Sequence, residues 1–503
     1  MHTAPAPGDP SPRPFHAVLC ALAALPRSPR HGIAMTCVVA GALLALCPPA
    51  SLSPEAARPA GLAVGAIGLW VTAVIPEYLT ALLFFLLAVL LRAAPAATVF
   101  SGFHSATFWL VFGGLCMGAA MHHTGLGARM ARGLLARTGS GYASLVCGLV
   151  GVGVLLSFVM PSSMGRIALL MPLAVSLAGA AGYGPGTGQR TGIVLAALFG
   201  ALQPAFAILP ANVPNMILAG SAENLFGHTL TYGRYLLLHF PVLGLLKTVV
   251  IAAVVLWLYP APSAGMAPGA PAAGTPVDAP HRTGVPMAHA ATTQAPASLA
   301  ERRLMVVLAV AVGLWATDFL HHVSPAWISL GAAVLCLWPP LGLTDRQVLA
   351  RDMSMGPLLF VAGIMGLGAV VAASGVGHML VRGMLDALPL APGEPARNFA
   401  VLTAYAMATG LLTTLPGIPA VLTPLAGELA AASGFSLEAV LMTQVVAVSS
   451  MLLPYQSPPL VVAMQLGNES PGHMTRTCLL LAAINVMVLL PLDYLWWRWL
   501  GVI

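Results

Sequence analysis

Charge is what this chain has least of. Of its 503 residues, 7% are Asp, Glu, Lys or Arg and 58% are hydrophobic, with a mean hydropathy of +0.89. A soluble domain carries about 25% charged residues. This chain has too few to clothe itself in water, so its solvent is mostly lipid. Lysine occurs once, as Lys247. The formal excess of +6 is spread thinly as arginine, with no basic stripe interleaved with aromatics, which excludes a nucleic-acid interface.

Other absences narrow the field further. The seven cysteines (Cys20, Cys37, Cys47, Cys116, Cys147, Cys336 and Cys478) form no CxxC pair and mostly lie in apolar runs. They read as small core hydrophobes rather than disulfides or metal ligands. There is no P-loop, so ATP-driven transport by this chain alone is disfavoured. No HExxH, GxSxG or DxDxDG constellation appears, so an intramembrane enzyme has little support and no cofactor is called for. The run Phe15–Leu25 is too short to span, and the "PRSPRHG" after it lacks a small-residue cleavage pattern. Residues 1–30 therefore read as a cytoplasmic extension.

What is present is apolar and periodically broken. Runs able to span occur near 33–48, 61–76, 79–93, 106–122, 190–226, 235–260, 303–322, 325–340, 356–373, 437–466 and 476–500, eleven in all. Two more, 142–182 and 398–432, are interrupted in the middle by Pro and Gly and suggest re-entrant hairpins. Between them, residues 261–300 form a Pro/Ala/Gly-rich stretch with too little bulky apolar surface to fold, a cytoplasmic linker. The expected fold is an all-α polytopic membrane protein, with a first repeat over 31–260 and a second over 301–503.

The two halves match in order. Gly113–Leu135 aligns without gaps on Gly363–Leu385, Met171–Gly179 on Thr423–Ala431, and Leu209–Asn215 on Leu453–Pro459. Ordered matches that include the proline positions point to an internal repeat. Placing Arg13, Arg27 and Arg30 in the cytoplasm puts Arg129, Arg132, Arg137, Arg282, Arg302, Arg303, Arg346, Arg351 and Arg476 on the same side. With eleven spans the Arg129–Arg137 segment is inside and its twin near Arg382 outside, so the repeats are inverted.

Four breaks carry the chemistry: "PSSMG" (Pro161–Gly165), "PANVPN" (Pro210–Asn215), "TTLPGIP" (Thr413–Pro419) and "PYQSPP" (Pro454–Pro459). In hydrocarbon an unpaired backbone group costs several kcal/mol, so non-helical backbone survives only inside protein or beside a water-filled cavity. Free N–H groups at a restarting helix favour an anion, by about 0.3–2 kcal/mol per terminus. Free carbonyls suit Na⁺. Two inverted repeats bring such breaks together near the midplane, as in a secondary transporter.

These residues resemble the divalent-anion/sodium symporter family, which includes dicarboxylate, citrate and sulfate carriers. The likeness covers nearly the whole chain beyond residue 30. It rests on the glycine-rich helix ending "TGLG" (Thr124–Gly127), on hairpin tips placed ten residues ahead of Pro172 and Pro424, on the Pro/Asn-broken spans and on the twofold repeat. The resemblance implies a homodimer and a carrier of small anions, di- or tricarboxylate or sulfate. It implies substrate contacts at the two tips, Ser162, Ser163 and Met164 on the first and Thr413 and Thr414 on the second. The residues themselves add Arg166 and, on the broken spans, Asn212, Pro214, Asn215, Gln456, Ser457 and Pro458 as candidate contacts. Na⁺ would be held by Ser162, Ser163 and Thr414. Family members carry Ser-Asn-Thr at each tip; this chain reads Ser162-Ser163-Met164 and Thr414-Leu415-Pro416. Met164, Leu415 and Pro416 contribute essentially no side-chain oxygen, which sets Na⁺ coupling apart from proton coupling or exchange as an open choice.

Arg166 lies about one turn into the returning helix. Three roles compete for it: binding an anion oxygen bidentately, standing in for a missing Na⁺, or snorkelling to the cytoplasmic interface. Glu77 and Glu428 are rare acids that could couple protons if buried; Glu77 follows Pro76 and reads as a turn residue, so Glu428, in the hairpin's return helix, is the better candidate, with a structural ion pair as its alternative. Asp318 with His321 and His322 makes a weak metal site, since adjacent histidines cannot share one helix face. Lys247, inside the sixth span, reads as a packing or snorkelling residue, with a role in the pathway as the alternative. An inner-membrane location, an ion antiporter of the wider superfamily and a non-transporting scaffold complete the expectations.

Overall fold

The computed structural model describes residues 29–49, 52–72, 74–137, 139, 141–261, 296–351, 353–374 and 389–503. The N-terminal extension, most of the linker and the repeat match over 375–385 lie outside them. Among the described residues the chain is helical without a strand. Six helices there are long and apolar enough to cross a bilayer, and seven if the pair Gly417–Ser433 and Leu437–Ser449, bent by 120°, is one span. The apolar runs suggested eleven. The difference lies in the shorter apolar helices, such as Glu77–Leu90 and Pro325–Leu337, and in spans cut at their breaks. Large apolar side chains stand on the outside, Leu90 at 68% exposure, Met487 at 76% and Trp499 at 75%. Water would not tolerate such a coat; acyl chains do.

Each half repeats one order of elements. In the first, helix Ala106–Thr124 is followed by a hairpin (Tyr142–Val159 and Ser163–Ala180), a broken span (Gly188–Leu202 and Val213–Phe226) and a long helix, Tyr232–Leu258, widened by a π turn at Phe240–Leu246. In the second, Gly356–Ala373 precedes a hairpin (Pro395–Leu412, then Gly417–Leu422 and Ala426–Ser433) and a broken span (Leu437–Ser449 and Pro458–Gly467). Helix Pro471–Trp499 closes it, with its own π turn at Asn485–Leu489.

The packing is reciprocal. Glu77–Leu90 of the first half lies on Gly356–Ala373 of the second, and Pro325–Leu337 of the second lies on Ala106–Thr124 of the first. The repeat-matched glycines mark these two crossings. A Cβ on Gly113 would stand 2.4 Å from the Ser329 carbonyl oxygen, and one on Gly363 would stand 2.4 Å from Ala81 Cβ. Likewise, Ser163–Ala180 packs on Pro458–Gly467, and Gly417–Leu422 packs on Val213–Phe226.

Ion pairs fix the sense of the two broken spans. Arg190, at the start of the first, bonds Glu469, just beyond the end of the second, at 2.9 Å. Glu438, at the start of the second, pairs with Arg234, just beyond the end of the first. Start meets end at both places, so the spans run antiparallel, as inverted repeats require.

Candidate functional site

Proline sets each break, because it offers no N–H and cannot continue a helix. Tyr142–Val159 stops before Pro161, and the chain restarts at Ser163 with Ser162 as its cap, its Oγ accepting from the Gly165 N–H at 3.1 Å. In the first broken span, Pro204 and Pro210 sit in two short 3₁₀ turns and Pro214 in the first turn of the helix that follows. Asn212 then caps Val213–Phe226, its Oδ1 accepting from the Asn215 N–H at 3.0 Å.

Such breaks orphan carbonyls, and internal donors take them up. Asn212 Nδ2 donates to Ala205 O at 2.9 Å. Asn215 Nδ2 donates to Phe206 O at 2.9 Å and Ile208 O at 3.0 Å. Arg166 takes the rest. Its guanidinium, 0% exposed, donates to Ala201 O at 2.9 Å, to Ala211 O at 3.0 Å and to Met160 O. A fourth bond goes to Ser163 Oγ at 3.1 Å. The first hairpin tip and both flanks of the first break are thus stapled by one buried cation.

The second half has a counterpart built from a different residue. Lys247, 1% exposed, follows the π turn of the first half's last helix. Its ammonium donates to Ser449 O and, at 2.8 Å, to Ser449 Oγ. Ser449 ends the half-span Leu437–Ser449, as Leu202, beside Ala201, ends Gly188–Leu202. A buried cation therefore sits at the negative, C-terminal end of the leading half of each broken span.

The four breaks open onto one cavity of about 440 Å³. Five helices begin at its wall: Glu77–Leu90, Ser163–Ala180, Val213–Phe226, Gly356–Ala373 and Pro458–Gly467. Both hairpin tips reach it, the first through Pro161 to Gly165, the second through Leu415 and Pro416. Most of the rest is apolar, including Phe206, Phe360 and six prolines. No arginine, lysine or histidine lines it; its one ionisable lining residue is Glu77. The serine hydroxyls are set to donate. Ser162 Oγ already accepts from Gly165 N–H, and Ser163 Oγ from Arg166, which leaves each O–H proton for a guest. Helix starts and hydroxyl donors together favour a small anion at the polar end of an otherwise apolar chamber.

Of the residues singled out in the sequence, Ser162, Ser163, Met164, Asn212, Pro214, Ser457 and Pro458 line this cavity. The others do not. Thr413 and Thr414 line a smaller pocket that shares Glu77 and Phe360 with it. The Na⁺ set Ser162, Ser163 and Thr414 is therefore split between two pockets. Asn215 and Gln456 are buried behind the wall, with Gln456 Oε1 accepting from Leu452 N–H and Leu453 N–H at 2.8 Å each. Arg166 neither faces the cavity nor snorkels, because the carbonyls its own breaks orphan are nearer and drier than any interface. Glu77 is no turn residue; it opens helix Glu77–Leu90 on the cavity wall. Asp493 went unnoticed in the sequence. It is 0% exposed, and neither carboxylate oxygen has a hydrogen-bond partner. Asp318 caps the start of Tyr232–His239 through the Tyr232 N–H, and among the described residues no group of three metal-ligating side chains occurs.

Known proteins bear on this arrangement. A membrane protein of Cupriavidus necator is 24% identical over 487 residues, covering 91% of this chain and 90% of its own length. The YdaH transporter of Alcanivorax borkumensis has a similar fold, with a TM-score of 0.58 at 18% identity over 85% of this chain and 99% of that one. The profile of the sodium:sulfate symporter transmembrane region matches residues 30–503. This integral membrane protein belongs to the sodium:sulfate symporter family of transporters.

Proposed function

We propose that the chain is a secondary carrier of a small anion, a di- or tricarboxylate or sulfate, and that it works without Na⁺. The observation that carries the first part is the convergence of several helix starts and two donating serine hydroxyls on one chamber. The second part rests on the two buried cations. Arg166 fills a cage of three backbone carbonyls, and Lys247 holds Ser449 at the matching place in the other half. Those are the carbonyls a bare Na⁺ would need. A guanidinium or ammonium bonded to them supplies positive charge from the protein itself, so no Na⁺ has to enter or leave with the substrate.

Residues 31–260 and 301–503 act as two inverted repeats around this chamber. The hairpins and broken spans move as one body against the remaining helices and present the anion to each side in turn. Two copies pair through the static helices in a bacterial inner membrane, the N-terminus in the cytoplasm.

Purified protein in liposomes tests the reading by counterflow of labelled succinate, citrate and sulfate, each in NaCl and in choline chloride. Exchange of one of the three at equal rate in both salts is expected. Exchange of none, with Na⁺ or proton flux instead, would replace the reading with that of an ion antiporter; no flux at all would leave a scaffold.

A further inference from the structure

An acid on the wall of an anion chamber needs a reason. Glu77 is the first residue of helix Glu77–Leu90 and lines both the large cavity and the smaller pocket beneath the second tip. Among the described residues no ion pair or hydrogen bond engages its carboxylate; its backbone oxygen, by contrast, accepts from Trp70 Nε1 at 3.0 Å. The described elements packed around it supply no neutralising charge. Gly356–Ala373 carries no titratable residue, and neither does Ala96–Val99. Pro54–Thr72 carries Glu55 and Arg58, both in its first two turns, whereas Trp70 at its other end is what meets Glu77. The second hairpin tip, Thr413 to Gly417, offers no charged side chain. Across the cavity the polar lining is serine and asparagine.

We infer that Glu77 is a proton-binding site linked to loading of the chamber, an inference that rests on the anion-carrier reading above. An ionised carboxylate and an anion confined in one low-dielectric cavity of about 440 Å³ repel each other strongly. Dissolved salt screens little between groups held inside a buried cavity. The first-turn position lets the helix dipole support the ionised form when the chamber is empty. An arriving anion favours the neutral carboxylic acid, which then donates a hydrogen bond instead of repelling. The balance is simple: one proton leaves bulk water for a Glu77 carboxylate oxygen as one anion enters, and the same proton returns to water when the anion leaves. The chamber thus loads in proportion to proton as well as anion concentration, and the carrier is fastest on its more acidic side.

The test is binding as a function of pH in the purified full chain, by thermal shift and calorimetry, with sulfate, succinate and citrate as probes. Sulfate is the deciding probe where it binds, because its own charge is fixed across the range. By linkage, the apparent Kd of the wild type is level at low pH. It weakens by up to about tenfold per unit once Glu77 ionises. Titration in two buffers of different ionisation enthalpy should show up to one proton taken up per anion, read with sulfate, or with succinate or citrate only at pH values where the probe itself is fully ionised. Glu77→Gln is expected to bind at the wild type's low-pH affinity, level in pH and without that uptake; Glu77→Asp keeps both the slope and the uptake. A wild type that binds with neither slope nor uptake, or a Glu77→Gln that retains them, overturns the proton site while leaving the anion carrier intact. Failure of all three anions to bind either protein at any pH overturns the anion reading, and this inference with it.

Discussion

Replacing Arg166 by methionine removes the staple of the first half while keeping most of its volume. The wild-type guanidinium satisfies Met160 O, Ala201 O and Ala211 O in a fully buried site. A buried acceptor left unpaired costs about 1–3 kcal/mol, so three of them sum to about 3–9 kcal/mol before relaxation. Some of that is recovered if water or a cation enters, and a net loss of about 3–5 kcal/mol is reasonable for a broken buried polar network. At about 2–4 °C per kcal/mol for mid-sized domains, and less for longer chains, thermal unfolding in detergent should fall by about 5 °C or more. Arg166→Ser goes further, because it also opens room in the carbonyl cage. Na⁺ bound there at a hundred times its Kd would return about 2.7 kcal/mol. This variant should therefore be stabilised by NaCl over choline chloride at equal ionic strength, whereas the wild type should not. An Arg166→Met protein that melts within a degree of wild type would refute the staple, and a wild type that gains stability from Na⁺ specifically would refute the filled cation seat.

Lys247→Met leaves Ser449 O without its ammonium donor and should destabilise by about 1–3 kcal/mol in the same melt, with Lys247→Arg recovering part of the loss. Gly113→Ala and Gly363→Ala force a methyl to within 2.4 Å of the facing helix, so each should cost about 1–3 kcal/mol, and equal effects from the two would match their equivalent crossings. Glu469→Gln breaks a pair whose side chains are 11% and 4% exposed, and should lower unfolding temperature by several times the effect of Glu438→Gln, whose arginine partner is 54% exposed and worth under about 1 kcal/mol. Ser162→Ala and Ser163→Ala each remove one donating hydroxyl from the chamber and should weaken anion affinity by about fivefold to tenfold, beside a small loss of melting temperature from the lost helix cap and the lost Arg166 partner, read by titration with the anion that binds.

The breaks were legible in the sequence because proline and glycine write backbone geometry directly. Pro161, Pro210, Pro214 and Pro458 stop or restart helices where they stand, whatever surrounds them. The repeat was legible for the same reason, since Gly113 and Gly363 are demanded by backbone contact at equivalent crossings. What could not be read was which orphaned group meets which donor. Arg166 ends among carbonyls 35 and 45 residues further along the chain, a meeting decided by tertiary packing alone. Glu77 looked like a turn because Pro76 precedes it, yet proline is as much at home just before a helix as in a loop. Thr414 was assigned by its place in the tip motif, but Leu415 and Pro416 behind it carry the chain to the larger cavity and leave the threonine beside the smaller one. Asp493 gave no signal: one acid near the end of an amphipathic, tryptophan-rich segment reads as interfacial until the helix is seen packed and the carboxylate dry.

Uptake of the transported anion into proteoliposomes under an inward Na⁺ gradient, with ²²Na⁺ counted alongside, most directly tests whether the two buried cations occupy the places of coupling ions. The same uptake rate when choline replaces Na⁺, and no ²²Na⁺ entering with the anion, is the expected result. Anion uptake that collapses in choline, with one or more Na⁺ carried per anion, would contradict it.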